Sequence, residues 1–90
     1  MTPSKFELDV LEFVRDDYEA VHTIRDNVAR DVGRTVPDSE IAAALINLVN
    51  AGLVDVFLLD SKPPFNRKVK IGAAPVEELW FLANNSSSAG

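Results

Sequence analysis

The fold is decided by residues 38–59, DSEIAAALINLVNAGLVDVFLL, because the spacing of the apolar residues changes partway along this stretch. From Asp38, the predicted N-cap, apolar residues recur every three or four positions, as on one face of an α-helix. Gly52 follows the last of them, where a left-handed residue commonly ends a helix. Residues 53–59 are then rich in β-branched and aromatic side chains and predict a strand. The predicted inward face of the helix consists of Ile41, Ala44, Leu45, Leu48 and Val49.

Two further helices are predicted upstream. Ser4 and Glu7 have the spacing of a capping box, and an apolar stripe of about three turns follows them. Thr23 and Asp26 give a second capping signature before a helix of about ten residues that ends at Gly33. Residues 18–22 are predicted to be an extended link. The two apolar stripes consist of Phe6, Val10, Phe13 and Val14, and of Ile24, Val28, Ala29 and Val32.

The C-terminal part predicts a β-hairpin. Pro63 and Pro64 interrupt the first strand, and residues 72–75 form a second break. Between the breaks, residues 67–71 alternate basic and apolar side chains, as on an exposed edge. Residues 79–82 predict the second hydrophobic strand. Residues 1–83 are therefore expected to form one domain, and residues 84–90 a frayed, flexible C-terminal tail.

This order of elements resembles the winged helix-turn-helix family. The resemblance lies in the helix over residues 38–51 running into Gly52-Leu53-Val54, and in the closing segment Glu78-Leu79-Trp80-Phe81-Leu82. It covers most of residues 5–83. The resemblance implies an α+β fold, in which a small three-helix core carries a C-terminal β-hairpin wing. It also implies a third helix in the DNA major groove and a wing that touches phosphate.

The charge distribution limits where DNA would bind. The 90 residues carry 14 acidic and 9 basic side chains, a net charge of −5. Residues 37–60 contain four acids and no base, so the third helix offers no cation to a groove. Residues 61–74 contain four bases and no acid. A basic edge also keeps a strand from pairing with its neighbours, which is the structural alternative. The candidate nucleic-acid contacts are Lys62, Arg67, Lys68 and Lys70 in the wing, with Arg34 and Asn47 on the helices.

A protein partner is the second interpretation. Small residues on the outward face of the third helix let another backbone approach, and Ile46 supplies an apolar anchor. The partner would be a second copy of the chain, as a homodimer, or another protein. The alternative is that this face is covered within the chain itself. The candidate interface consists of Ala42, Ala43, Ile46 and Asn50.

Catalysis is not expected. The chain has no cysteine, and His22, its single histidine, stands near Asp16, Asp17 and Glu19 without the glycine scaffold of a cation-binding loop. The four glycines stand apart, so no phosphate cradle is formed, and no metal or cofactor is predicted. No stretch is apolar enough to span a membrane and the start lacks a signal sequence, so a cytoplasmic location is expected. The sequence predicts a non-catalytic winged-helix module. It is either a transcription-regulator-like protein that contacts double-stranded DNA through a basic wing, or a protein-interaction module that does not bind DNA.

Overall fold

The computed structural model describes residues 3–59 and 66–84 and has an α+β fold. Its three helices are α1 (Lys5–Glu12), α2 (Val21–Val32) and α3 (Asp38–Asn50). Its strands are β1 (Glu19–Ala20), β2 (Val54–Leu59), β3 (Asn66–Val69) and β4 (Trp80–Ala83), and a single 3₁₀ turn, Val76–Glu78, precedes β4. The strands form one antiparallel sheet in the order β1-β4-β2-β3. The predicted fold class is confirmed, and the arrangement is compatible with a helical core plus a hairpin wing.

The helix starts follow the sequence in one case and not in two. The capping box of α1 is confirmed, because the Ser4 hydroxyl accepts from the Glu7 N–H at 3.1 Å and the Glu7 carboxylate accepts from the Ser4 N–H at 2.9 Å. The Thr23 signature is wrong, because the N-cap of α2 is Ala20, three residues earlier, and the helix begins at Val21. Ala20 has extended backbone and provides no side-chain hydrogen bond to the helix. Pairing of β1 with β4 holds Ala20 extended and buries Val21, so tertiary contacts set this start.

Helix α3 also begins differently from the prediction. Its N-cap is Pro37, and Asp38 is the first helical residue. The Asp38 carboxylate accepts a hydrogen bond from the Arg25 guanidinium at 2.9 Å, rather than capping its own helix. At the other end Gly52 has φ 79°, and the Leu53 N–H donates to the Leu48 carbonyl at 3.0 Å. This left-handed turn, as predicted, leads the chain from α3 into β2.

One apolar core joins the helices to a single face of the sheet. Ile41, Leu45 and Leu48 are at most 1% exposed, as predicted from the period of α3. Val32 was predicted to join the core but is 37% exposed, because it is the last residue of α2 and the chain turns at Gly33 immediately afterwards. The fully buried residues include Val10, Val14, Ile24, Val28, Val54, Val56, Leu79 and Phe81.

The wing region contains more structure than a plain turn. Strand β3 pairs with β2 at the edge of the sheet, which confirms the predicted exposed edge. The break at residues 72–75 is a turn in which the Ala73 N–H donates to the Lys70 carbonyl at 3.1 Å. The Pro63-Pro64 break, Lys62 and tail residues 85–90 lie outside the described residues.

Candidate interaction surfaces

The face of the sheet turned away from the helices carries large apolar side chains together with Asp55, Asn66 and Lys68. Directly paired residues of antiparallel strands share a face, and Phe57 pairs with Trp80 while Val56 pairs with the buried Phe81. Alternation therefore places one set of β2 side chains toward the helices and the other set toward the opposite side. Leu59, on that opposite side, is 42% exposed. We call the surface formed by Tyr18, Phe57, Leu59, Trp80 and Leu82 the outer sheet face.

Tyr18 lies across this face. It precedes β1, yet its ring contacts the Phe57 ring edge-on, with centroids 4.9 Å apart and planes at 90°. Its hydroxyl accepts a hydrogen bond from the Asn66 side chain of β3 at 3.2 Å. Because β4 lies between β1 and β2 in the sheet, the Tyr18 side chain must cross β4 to make both contacts. The Tyr18 side chain therefore links the segment next to β1 with β3, at the two edges of the sheet.

The outer sheet face is separate from the core. The half-buried apolar residues that pack against the core in the described part of the chain include Leu58 and Val69, but none of the outer sheet face. At its rim the Lys68 ammonium lies 3.3 Å from the Asp55 carboxylate, which also accepts from the Asn84 side chain at 3.5 Å. The apolar residues thus form a second cluster with a polar border.

The candidate interface on α3 is less apolar. Ala43 and Asn50 are exposed, whereas Ala42 and Ile46 are half-buried. Ile46 is the one large apolar side chain of the four, and over residues 3–59 and 66–84 it is not among those packed against the core. This face therefore offers a single apolar anchor, fewer than the outer sheet face.

Three of the predicted nucleic-acid contacts already bind carboxylates. Arg34 donates to Glu40 at 2.9 Å, and Lys68 pairs with Asp55. The Asn47 side chain donates to the Glu7 carboxylate at 2.8 Å. Hydrogen bonds from the Ser4 backbone and from Asn47 lower the pKa of Glu7, so it stays charged beside the Asn47 amide.

Other predicted contacts remain available. Arg67 and Lys70 are exposed, and within the described residues neither makes an ion pair. Both lie in or directly after β3. Lys62 falls outside the described chain. Among the described basic residues of this region, Arg67 in β3 and Lys70 directly after it are therefore available to an anion, whereas Lys68 is paired with Asp55.

The helix arginines and the wing cations do not share one concavity. Arg25, Arg30 and Arg34 line an open depression of about 730 Å³ at the α2–α3 turn, together with Asp26 and other residues. Lys68 and Lys70 line a second depression of about 350 Å³, between the end of α3 and strands β2 and β3. The residues lining the two depressions have no member in common. Of the predicted nucleic-acid residues, Arg34 therefore lines one depression, and Lys68 and Lys70 line the other.

The acidic residues near His22 lie before and within β1. Asp16, Asp17 and His22 are exposed, and the pKa of Glu19 is raised by partial burial and by the nearby Asp17. In the described ranges no group of three His, Cys, Asp or Glu residues is placed to hold a metal ion. No helix among those residues is long and apolar enough to cross a membrane.

The sequence interpretation missed the outer sheet face. One signal for it was present, since residues 53–59, apart from Asp55, are apolar on both sides of the strand rather than on one. Tyr18 carried no such signal, because its contacts lie 39 and 48 positions away along the chain. Comparisons with protein-family models, curated proteins and solved structures find no match to this chain.

Proposed function

We propose that this chain is a non-catalytic, cytoplasmic winged-helix module that self-associates through the outer sheet face. The observation that carries the proposal is the set of large apolar side chains on the side of the sheet that the helices leave uncovered. An antiparallel sheet with one solvated face normally alternates apolar and polar side chains. Strand β2 instead presents Phe57 and Leu59 outward, as well as Val54 and Val56 inward.

The rim of the face suits a second copy of the chain. A two-fold axis brings the same patch of both molecules together, so each rim residue meets a counterpart from the other copy. Asp55 and Lys68 lie side by side on this face. Two-fold pairing allows the Asp55 of each copy to meet the Lys68 of the other, which fixes the orientation of the pair.

The outer sheet face is small. Its four strands contain two, six, four and four residues, which at about 4.8 Å between strands and about 3.3 Å per residue give roughly 250–300 Å² per molecule. The pair then buries about 500–600 Å², below the 1,200–2,000 Å² typical of stable complexes. Weak, reversible dimers are therefore expected, which form only towards about 1 mM.

Salt dependence separates this function from DNA binding. Each copy carries a net charge of −5, so the two molecules repel each other over a distance. Added salt screens that repulsion and should strengthen self-association. Binding to DNA releases counterions and should weaken as salt is added.

Sedimentation equilibrium between about 10 µM and 1 mM tests the proposal. Leu59→Lys places a charge on the outer sheet face and should leave a monomer at all concentrations. Leu8→Lys is the matched control, because Leu8 is 47% exposed on α1, away from the sheet. This variant should associate like the parent. A parent chain that remains monomeric at 1 mM in high salt, or undiminished association of Leu59→Lys, refutes the proposal.

DNA binding is the second candidate function, supported by the exposed Arg67 and Lys70, which make no ion pair with any residue that the structure describes. In this function the edge strand contacts backbone phosphates, as a transcription-regulator-like module would. A salt titration with random-sequence duplex tests it. Binding should be detectable at low salt and abolished by Arg67→Glu with Lys70→Glu, while the melting temperature stays nearly unchanged. Absence of binding at low salt removes this candidate.

A further inference from the structure

Strand β3 forms one edge of the described sheet, and a role for this edge does not depend on self-association. We infer that the free side of β3 takes up an acidic, extended segment of a partner protein as an additional strand. In the described sheet β3 stands at the end of the order β1-β4-β2-β3 and pairs only with β2. Every second residue of such a strand directs its N–H and C=O away from the sheet, where another backbone pairs with them.

The side chains of β3 specify acidic residues in the added strand. Arg67 pairs with Leu58 and lies on the helix side of the sheet, whereas Lys68 pairs with Phe57 on the outer side. An added strand would therefore meet the Arg67 cation on the helix side and, on the outer side, the Lys68 ammonium, which it would share with Asp55 at 3.3 Å. Opposite charges on directly paired residues favour pairing. Two consecutive acidic residues in the partner match this arrangement.

The 350 Å³ depression extends the surface beyond the end of β3. The pairing of β2 with β3 stops at Val56 and Val69. Strand β2 extends beyond this last pair to Val54, where its edge has no partner in β3. Valine side chains and Ile71 line the depression, and Lys68 and Lys70 stand beside them. A partner strand that runs past Val69 reaches this apolar surface. An apolar residue near the acidic pair in the partner fits here.

Two other occupants fit less well. A second copy paired β3 to β3 brings the Arg67 and Lys68 side chains of both molecules together, and like charges oppose that contact. Duplex DNA supplies anions to Arg67 and Lys70 but no extended peptide backbone that could pair with the edge of β3. A duplex is also long enough to be repelled by the net charge of −5 on the whole molecule, whereas a short peptide contacts only the edge strand.

The probe is a capped peptide of about eight residues in which two adjacent glutamates lie among valines and threonines. Added to the full chain labelled with ¹⁵N, it should shift the amide signals of Asn66–Val69 and slow hydrogen exchange at the free edge. A control peptide with lysines in place of the glutamates should not bind. Two further peptides carry N-methyl groups at alternate residues, one peptide along one edge and the other along the opposite edge. Only the peptide whose pairing edge is free of N-methyl groups should bind.

Arg67→Glu should weaken binding of the peptide by about fivefold, the loss expected for one exposed charge pair. Arg30→Glu is the matched control, because it changes the net charge equally at an exposed position on α2. Equal weakening by both variants overturns the inference, since net charge alone then governs binding. Equal binding of the lysine peptide, tighter binding of duplex DNA to the same residues, or unshifted β3 signals at about 1 mM peptide also overturns it.

Discussion

Replacing Tyr18 by alanine should destabilise the fold and loosen the outer strands. The edge-on contact with Phe57 contributes about 0.5–1.5 kcal/mol beyond the buried area. The hydrogen bond from Asn66 contributes about 1 kcal/mol, and the half-buried ring about 1 kcal/mol more. Tyr18→Ala should therefore lower the free energy of unfolding by about 2.5–3.5 kcal/mol, against roughly 5–13 kcal/mol for a domain of this size.

Tyr18→Phe should retain the ring contact and lose only the hydrogen bond, at a cost of about 1 kcal/mol. Urea denaturation of both variants, followed by the fluorescence of Trp80 and by circular dichroism, measures these differences. Leu8→Ala, on the exposed face of α1, is the control and should change stability by less than about 0.5 kcal/mol. If Tyr18→Ala unfolds at the same urea concentration as the parent, Tyr18 does not hold the strands together.

Three other measurements test the core and the turns. The pKa of Glu7 is lowered in the fold because its carboxylate accepts hydrogen bonds from Ser4 and Asn47. The contribution of Glu7 to folding stability is therefore complete above its ordinary pKa of 4.5, and it is lost as the pH falls through the lowered pKa. In Glu7→Gln the urea midpoint should lose this dependence between about pH 6 and 3, whereas an unchanged slope contradicts the contact. Leu45→Ala should cost about 2–5 kcal/mol of unfolding free energy, measured by calorimetry, because Leu45 is fully buried. Gly52→Ala should lower the free energy of unfolding by about 1–2 kcal/mol because of the left-handed backbone, since an added Cβ lies within 4 Å of no atom of the described residues. An unchanged melting temperature contradicts this assignment.

Local signals account for most of the helical part of the fold. The Ser4–Glu7 box, the α3 stripe and the left-handed Gly52 depend on residues at most four or five positions apart, and all three were predictable. The start of α2 was not, because it follows from pairing of β1 with a strand near the other end of the chain. Two residues of strand carry too weak a pattern to compete with a capping signature.

The candidate surfaces were only partly predictable, for a related reason. Composition located the cations of β3 correctly, but it gave no means of telling which were neutralised. Asn47 meets Glu7 from 40 positions away, and Lys68 meets Asp55 across two strands. Whether a polar side chain is available to a ligand depends on such long-range pairs, which spacing along the chain does not encode.

The position of β4 bears on how the molecule is made. This strand lies between β1 and β2, although it is the last of the four to leave the ribosome. Glu19 must wait about 60 residues for its pairing partner Phe81, and closing so long a loop slows folding. During synthesis the helices are complete before the sheet has a centre. In the described sheet β1 pairs only with β4, so β1 stays without a partner strand until β4 has been made.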